Sequence, residues 1–137
     1  MILLIKFLHF FGLMLGAAAA VGNFAVGRQV KLSRGAPPAE LLALRPFFAR
    51  TALVAIILLW LTGLWLYFDA YSGVALGLAF HFKLGCAVLL LAAIITVNVI
   101  IQRSAAGKPP PAWLPQLHAA ARILLLLAVA FAVYVFD

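Results

Sequence analysis

Acidic side chains are nearly missing from this chain. Only three Asp and Glu accompany ten Lys and Arg in 137 residues. Glu40, Asp69 and Asp137 fall in loops or at the terminus, so no paired-carboxylate site for acid–base chemistry is available. Cysteine is nearly missing too. Cys86 is the sole cysteine, which excludes an intrachain disulfide. Inside an apolar stretch it reads as a small hydrophobe. The sequence holds no CxxC or HExxH motif and no glycine-rich phosphate loop after a strand. Internal repeats, a low-complexity domain and room for a second domain are absent as well.

Charge of either sign is scarce. The chain is 9% charged and 68% hydrophobic, whereas a soluble domain is about 45–50% apolar and about a quarter charged. Too little polar surface remains to face water, and the bilayer is the expected solvent. A spanning helix needs about 20 mostly apolar residues, and four such stretches are present, at about 2–26, 47–68, 76–101 and 117–136. The expected fold is therefore all-α, a single integral membrane bundle of four transmembrane helices. A cleaved signal peptide is the rival reading of the first stretch, whose apolar run is too long for one. Between the first two stretches, "PAELLALRPF" contains Pro38 and Pro46 and reads as one or two amphipathic turns on the membrane surface. "DAYSG" reads as a tight loop at Gly73, and "RSAAGKPPPAWLPQ" as a stiff, proline-rich one.

The basic residues give an orientation. Arg28, Lys31, Arg34, Arg45 and Arg50 lie around the first connection, and Arg103 and Lys108 in the third. Loops rich in Lys and Arg stay cytoplasmic, so both termini are expected outside a bacterial-type inner membrane. The net charge of +7 is thus a topology signal. Its expected partners are anionic lipid headgroups, with no nucleic acid.

What is present inside the spans is a short set of polar residues: Lys6, His9, Asn23, His81, Lys83, Asn98, His118 and Arg122. Ionisable groups within spans tend to face the bundle interior and mark function. His9 and His81 should lie at similar depth near the outer face, on helices one and three. His118 enters from the cytoplasmic side, with Arg122 one turn on. His9, Gly16 and Asn23 share one helical stripe, and Gly12, Gly16 and Ala20 form a small-residue run. His81 is followed by Gly85, Val88 and Ala92. Each histidine thus looks along a face with small residues beside it, which is what a porphyrin edge needs. Neutral imidazole is a common axial ligand of haem iron.

The pattern therefore predicts b-type haem between helices one and three, ligated by His9 and His81, with Gly16 and Gly85 beside the ring. Lys6 and Lys83 would snorkel towards its propionates. Catalytic residues are not assigned. Two other readings stay open. The histidines could serve only as interhelical hydrogen bonds in a non-catalytic accessory or packing subunit of a larger membrane complex. Copper is the third, through His9, Met14, His81 and Cys86, although Met14 lies off the face of His9. Trp60, Trp65, Tyr67, Tyr71, Trp113 and Tyr134 read as the aromatic belt.

"IKFLHFFGLML", "LTGLWLYF" and "FHFKLGCAVLLLA" resemble, in order, segments of the HemJ family and its CopD-like relatives, small bacterial membrane proteins of four or five helices. The resemblance implies haem b and a protoporphyrinogen-oxidase-like activity, or copper handling for the CopD-like branch. It matches His9 to the family's helix-one histidine and "HFKL" to its histidine-x-lysine-leucine, placing His81 and Lys83 at functional positions. Haem between helices one and three would pass electrons within the membrane, to an electron-transfer partner, or oxidise a porphyrinogen. Where HemJ-type proteins carry a tryptophan-containing segment and a proline–arginine pair, this chain reads "GAAAAVGNFAVGRQ".

Overall fold

Four apolar stretches become four helices, and no strand occurs among the described residues: α1 (Ile2–Leu32), α2 (Ala39–Tyr71), α3 (Gly77–Ala105) and α4 (Leu114–Phe136). The structure is a computed structural model that describes residues 1–72, 74 and 77–136. Gly73 of the expected tight loop, Leu76 and Asp137 lie outside these. All four helices are long and apolar enough to cross a membrane, and the chain is an all-α membrane bundle.

The helices overrun the apolar stretches at the end that carries the basic connections, called here the basic end. The opposite end, with Ile2, Phe136 and the α2–α3 connection, is the terminal end. α1 has 31 residues and so measures about 45 Å, against about 30 Å of hydrocarbon. Its last turns, with Arg28 and Lys31 exposed, therefore extend beyond the apolar layer. Ser33 closes it by bonding the Gln29 carbonyl through both its N–H (3.0 Å) and its hydroxyl (2.9 Å).

The surface turns expected at "PAELLALRPF" are instead the continuous start of α2. Pro38 is its N-cap and Pro46 lies inside it. Pro46 cannot donate to the Leu42 carbonyl one turn back. Leu42 is exposed near the helix start, where solvent satisfies that carbonyl and the helix continues.

Sequential helices run antiparallel. α1 packs extensively on α2, α3 on α4, and α2 on α3 more narrowly, while α1 shares no extensive interface with α3 or α4. The α1–α2 seam is built on small residues. Gly12 meets Leu59, Gly16 meets Ala55, and Gly22 lies against the Phe48 ring. The four-residue step from Gly12 to Gly16 on α1 is matched by the four-residue step from Leu59 to Ala55 on α2. Lipid is as apolar as leucine, so close backbone approach and dispersion hold such helices together. Accordingly the buried hydrophobic residues are mostly Ala, Val and Leu, and the large apolar side chains, Phe7, Phe10, Leu61, Leu126 and others, point outward. Tyr67 stacks on Phe80 across α2–α3 at 5.0 Å, and Phe82 on Phe131 across α3–α4 at 5.9 Å. At the basic end Ala49, Val97 and Leu114 form a small core.

Candidate functional site: two polar layers in an apolar bundle

The polar residues within the spans gather in two layers. His9, Thr62 and Lys83 lie at the terminal end. Asn23, Arg45, Asn98, His118 and Arg122 lie at the basic end. His9 and Asn23 are about 20 Å apart along α1 by helix rise. Gly12, Ala19, Ala55, Ile56, Leu90 and Ala93 are buried or packed between the layers.

His9 is half-buried and faces α2. Its Nδ1 lies 2.8 Å from the Thr62 hydroxyl oxygen, and Thr62 is 4% exposed. The Thr62 hydroxyl has one hydrogen, donated to the Leu58 carbonyl at 2.7 Å. While it donates there it can only accept from His9, and in that arrangement Nδ1 carries the imidazole proton and Nε2 keeps a bare lone pair. Gly63 completes the cradle, because a Cβ there would stand 3.4 Å from His9 Cε1. Among the described residues the buried Trp60 indole N–H, within one turn of Gly63, has no hydrogen-bond partner.

On α3 the residue that joins His9 is Lys83. It is half-buried, in register with buried Leu90 and Val97 and at the depth of His9. His81 is about 200° around the helix from Lys83 at about 100° per residue. It lies with Gly85, Val88 and Ala92 on an exposed stripe. Its Nδ1 bonds the Gly77 carbonyl of its own helix at 2.8 Å, and a Cβ on Gly85 would meet nothing within 4 Å. The structure thus brings His9 and Lys83 together and leaves His81 and Gly85 on the outward side of α3. Lys6 is exposed, one turn beyond His9. Gly16 lies about 10 Å from His9 along α1, where a Cβ would stand in ordinary contact with Ala55 Cβ at 3.8 Å. Met14 and His81 are exposed and Cys86 is half-buried. Among the described residues no three His, Cys, Asp or Glu side chains gather to hold a metal.

Thr62 and Gly63 are members of this layer that the sequence reading did not assign, and Trp60, expected in the aromatic belt, has a buried indole nitrogen. The signal for Thr62 was available: a lone hydroxyl in an apolar span, at the depth of His9 on an antiparallel neighbour.

At the basic end all four helices line a cavity of about 60 Å³. Gly16 and Ala20 of α1 and Ala52 of α2 form its apolar wall, and Asn23, His118 and Arg122 supply polar atoms. Asn98 is 8% exposed. Both its amide hydrogens are used, on the carbonyls of Ala49 and Ile94 at 2.9 Å each, so only its oxygen remains. Arg45 and Arg122 both act on His118. The Arg122 guanidinium lies 5.1 Å from the centre of the Phe24 ring, bridging α4 to α1.

No family model matches the chain, and neither a curated protein nor a solved structure matches it.

Proposed function

We propose that this chain is a multi-pass protein of a bacterial-type cytoplasmic membrane, both termini outside, that binds b-type haem at His9 for intramembrane electron transfer or porphyrinogen oxidation. The observation that carries the reading is the His9–Thr62 contact. Histidines that ligate metals nearly always donate their second ring N–H to an oxygen that fixes tautomer and orientation. Thr62 does so here and leaves Nε2 as the ligand atom. The resemblance of "IKFLHFF" and "HFKL" to HemJ-type segments adds support.

His9 would hold the group, and His81, which faces away from His9, would not, so one imidazole per chain is offered. Haem, when bound, would supply one-electron chemistry. His9 holds it, Thr62 keeps the imidazole neutral and aimed, and Lys83 adds positive charge at the same depth. Because α1 has no extensive interface with α3 or α4, helix packing does not close those sides of His9. Absorption spectra of protein purified from haem-replete cells test the reading. A Soret band that His9→Ala abolishes supports it, and colourless protein refutes it.

The same 2.8 Å contact also favours a second reading, a non-catalytic accessory subunit in which His9 only ties α1 to α2. That reading requires His9→Ala to loosen the bundle with no spectral change. The proposed orientation is checked by labelling cysteines placed at Ser33 and Ser104 in a Cys86→Ala background. Labelling from outside at either site overturns it.

A further inference from the structure

Among the described residues the basic-end cavity is lined by two basic side chains and no acid. His118 and Arg122 lie one turn apart on α4, and Arg45 of α2 lies near His118. The chain's three acidic residues contribute nothing to the cavity wall. Glu40 opens α2 and Asp69 lies near its opposite end, while Asp137 is the last residue of the chain. A guanidinium about 12 Å below the start of its helix is costly to hold in hydrocarbon without a countercharge.

Arg122 is set up to receive one. Its guanidinium carbon lies over the Phe24 ring, 5.1 Å from its centre, and no hydrogen bond engages it among the described residues. Its N–H donors form the planar fork that matches a carboxylate. Asn23 also lines the cavity, and its amide makes no hydrogen bond among the described residues. Asn98 offers only an oxygen acceptor, so the donors facing the cavity come from Arg122, His118 and Asn23.

Size and access narrow the ligand. About 60 Å³ is room for a few water-sized groups, at about 10–15 Å³ of such space for each. That space takes one carboxylate and is small for a whole phospholipid headgroup with its two ester arms. The side between α1 and α4 is not closed by extensive packing, and Phe24, at 52% exposed, borders it. An apolar body can lie in that seam while its charged end enters the cavity.

We propose that the basic-end cavity is a binding site for the carboxylate of a single-chain amphiphile, held by Arg122 with Asn23 and His118, its apolar chain lying in the α1–α4 seam. This site is distinct from the His9 layer and does not depend on what binds there.

The test uses the full chain in phosphatidylcholine nanodiscs with radiolabelled oleate as the probe. Saturable binding is expected, with oleyl alcohol failing to compete because it lacks the charge. Arg122→Gln should weaken binding about tenfold or more, as for loss of a charge-assisted hydrogen bond, and Arg122→Lys less. Asn23→Leu, which keeps every cation, should also weaken it, and helix content by circular dichroism shows whether each variant is folded. The proposal fails if oleyl alcohol competes as well as oleate, or if folded Arg122→Gln binds normally. It fails equally if phosphatidylglycerol displaces oleate at matching concentration, which would make this a phospholipid site. Displacement by inorganic phosphate or acetate alone would make it a small-anion site and also overturn it.

Discussion

Thr62 accepts a hydrogen bond from His9 across the α1–α2 seam while giving its own hydrogen to the Leu58 carbonyl. One hydrogen cannot serve both partners, so a hydroxyl that donates to Leu58 favours the Nδ1–H tautomer of a histidine in another helix. Nitrogen chemical shifts of labelled histidine should therefore show His9 protonated at Nδ1 and bare at Nε2. Thr62→Val keeps the shape but removes the acceptor, leaving a half-buried N–H unpaired. It should destabilise the bundle by about 1–3 kcal/mol and broaden the tautomer signal, and Thr62→Ser should restore both. An unchanged shift in Thr62→Val would remove the hydroxyl from any orienting role.

Small residues along α1 are not equivalent. A Cβ on Gly22 would run into the Phe48 ring, which is itself edge-on to Phe47 at 5.4 Å. The ring is flat and wedged, so backbone must shift, and Gly22→Ala should cost about 1–3 kcal/mol. At Gly16 the nearest atom to a Cβ is Ala55 Cβ at 3.8 Å, an ordinary contact. Gly16→Ala should be neutral or stabilising by up to about 1 kcal/mol, the helix-propensity gain. Unfolding in mixed detergent, read by circular dichroism, separates the two. Equal effects would contradict the seam's register.

Much of this architecture is legible in the sequence, and the unread part has a common physical cause. The number and order of helices follow from apolar length alone. The inward faces do not, because in lipid the outward face is as apolar as the inward one and the amphipathic signal that orients soluble helices vanishes. Helical geometry puts His81 and Lys83 on opposite sides of α3, and nothing in composition says which side looks inward. Small residues are the remaining guide. On α1, Gly12 and Gly16 do mark the packed face. On α3, Gly85 after His81 marks an exposed one. The start of α2 was obscured by Pro46, whose cost is low where the Leu42 carbonyl can reach solvent. His118, Arg122, Asn23 and Asn98 were correctly placed in the basic half by rise per residue, but their convergence on one cavity required the tertiary structure.

Asn98 ties α3 to α2 with donors only, and that polarity is testable. Its amide hydrogens reach the carbonyls of Ala49 and Ile94, each also the natural acceptor of its own helix. Asn98→Leu should cost about 1 kcal/mol, the scale of interhelical hydrogen bonds in membranes, because no carbonyl is orphaned. Asn98→Asp should cost more, since an acceptor would then face two acceptors. If both variants unfold at the same detergent fraction, the amide contributes shape and not hydrogen bonding.

His9, His81 and Lys83 together give the sharpest separation of readings. His81 is exposed and satisfied within its own helix through Gly77, so His81→Ala should leave bundle stability and any haem spectrum unchanged. His9→Ala removes the ligand atom and the tie to Thr62, and should abolish the Soret band while destabilising the α1–α2 seam. His9→Gln can still donate to Thr62 but offers no imidazole. It should restore part of the stability with no recovery of the spectrum. Lys83→Met keeps most of the apolar stem and deletes the charge beside His9. It should lower haem retention, read as the rate of transfer to apomyoglobin, without changing the spin state. A low-spin spectrum lost in both His9→Ala and His81→Ala would require His81 to turn inward or to reach the iron of a second copy. That outcome would overturn the single-imidazole site. A spectrum that survives His9→Ala and falls with His118→Ala would move the haem to the basic end, where Arg122 and Asn23 line the cavity.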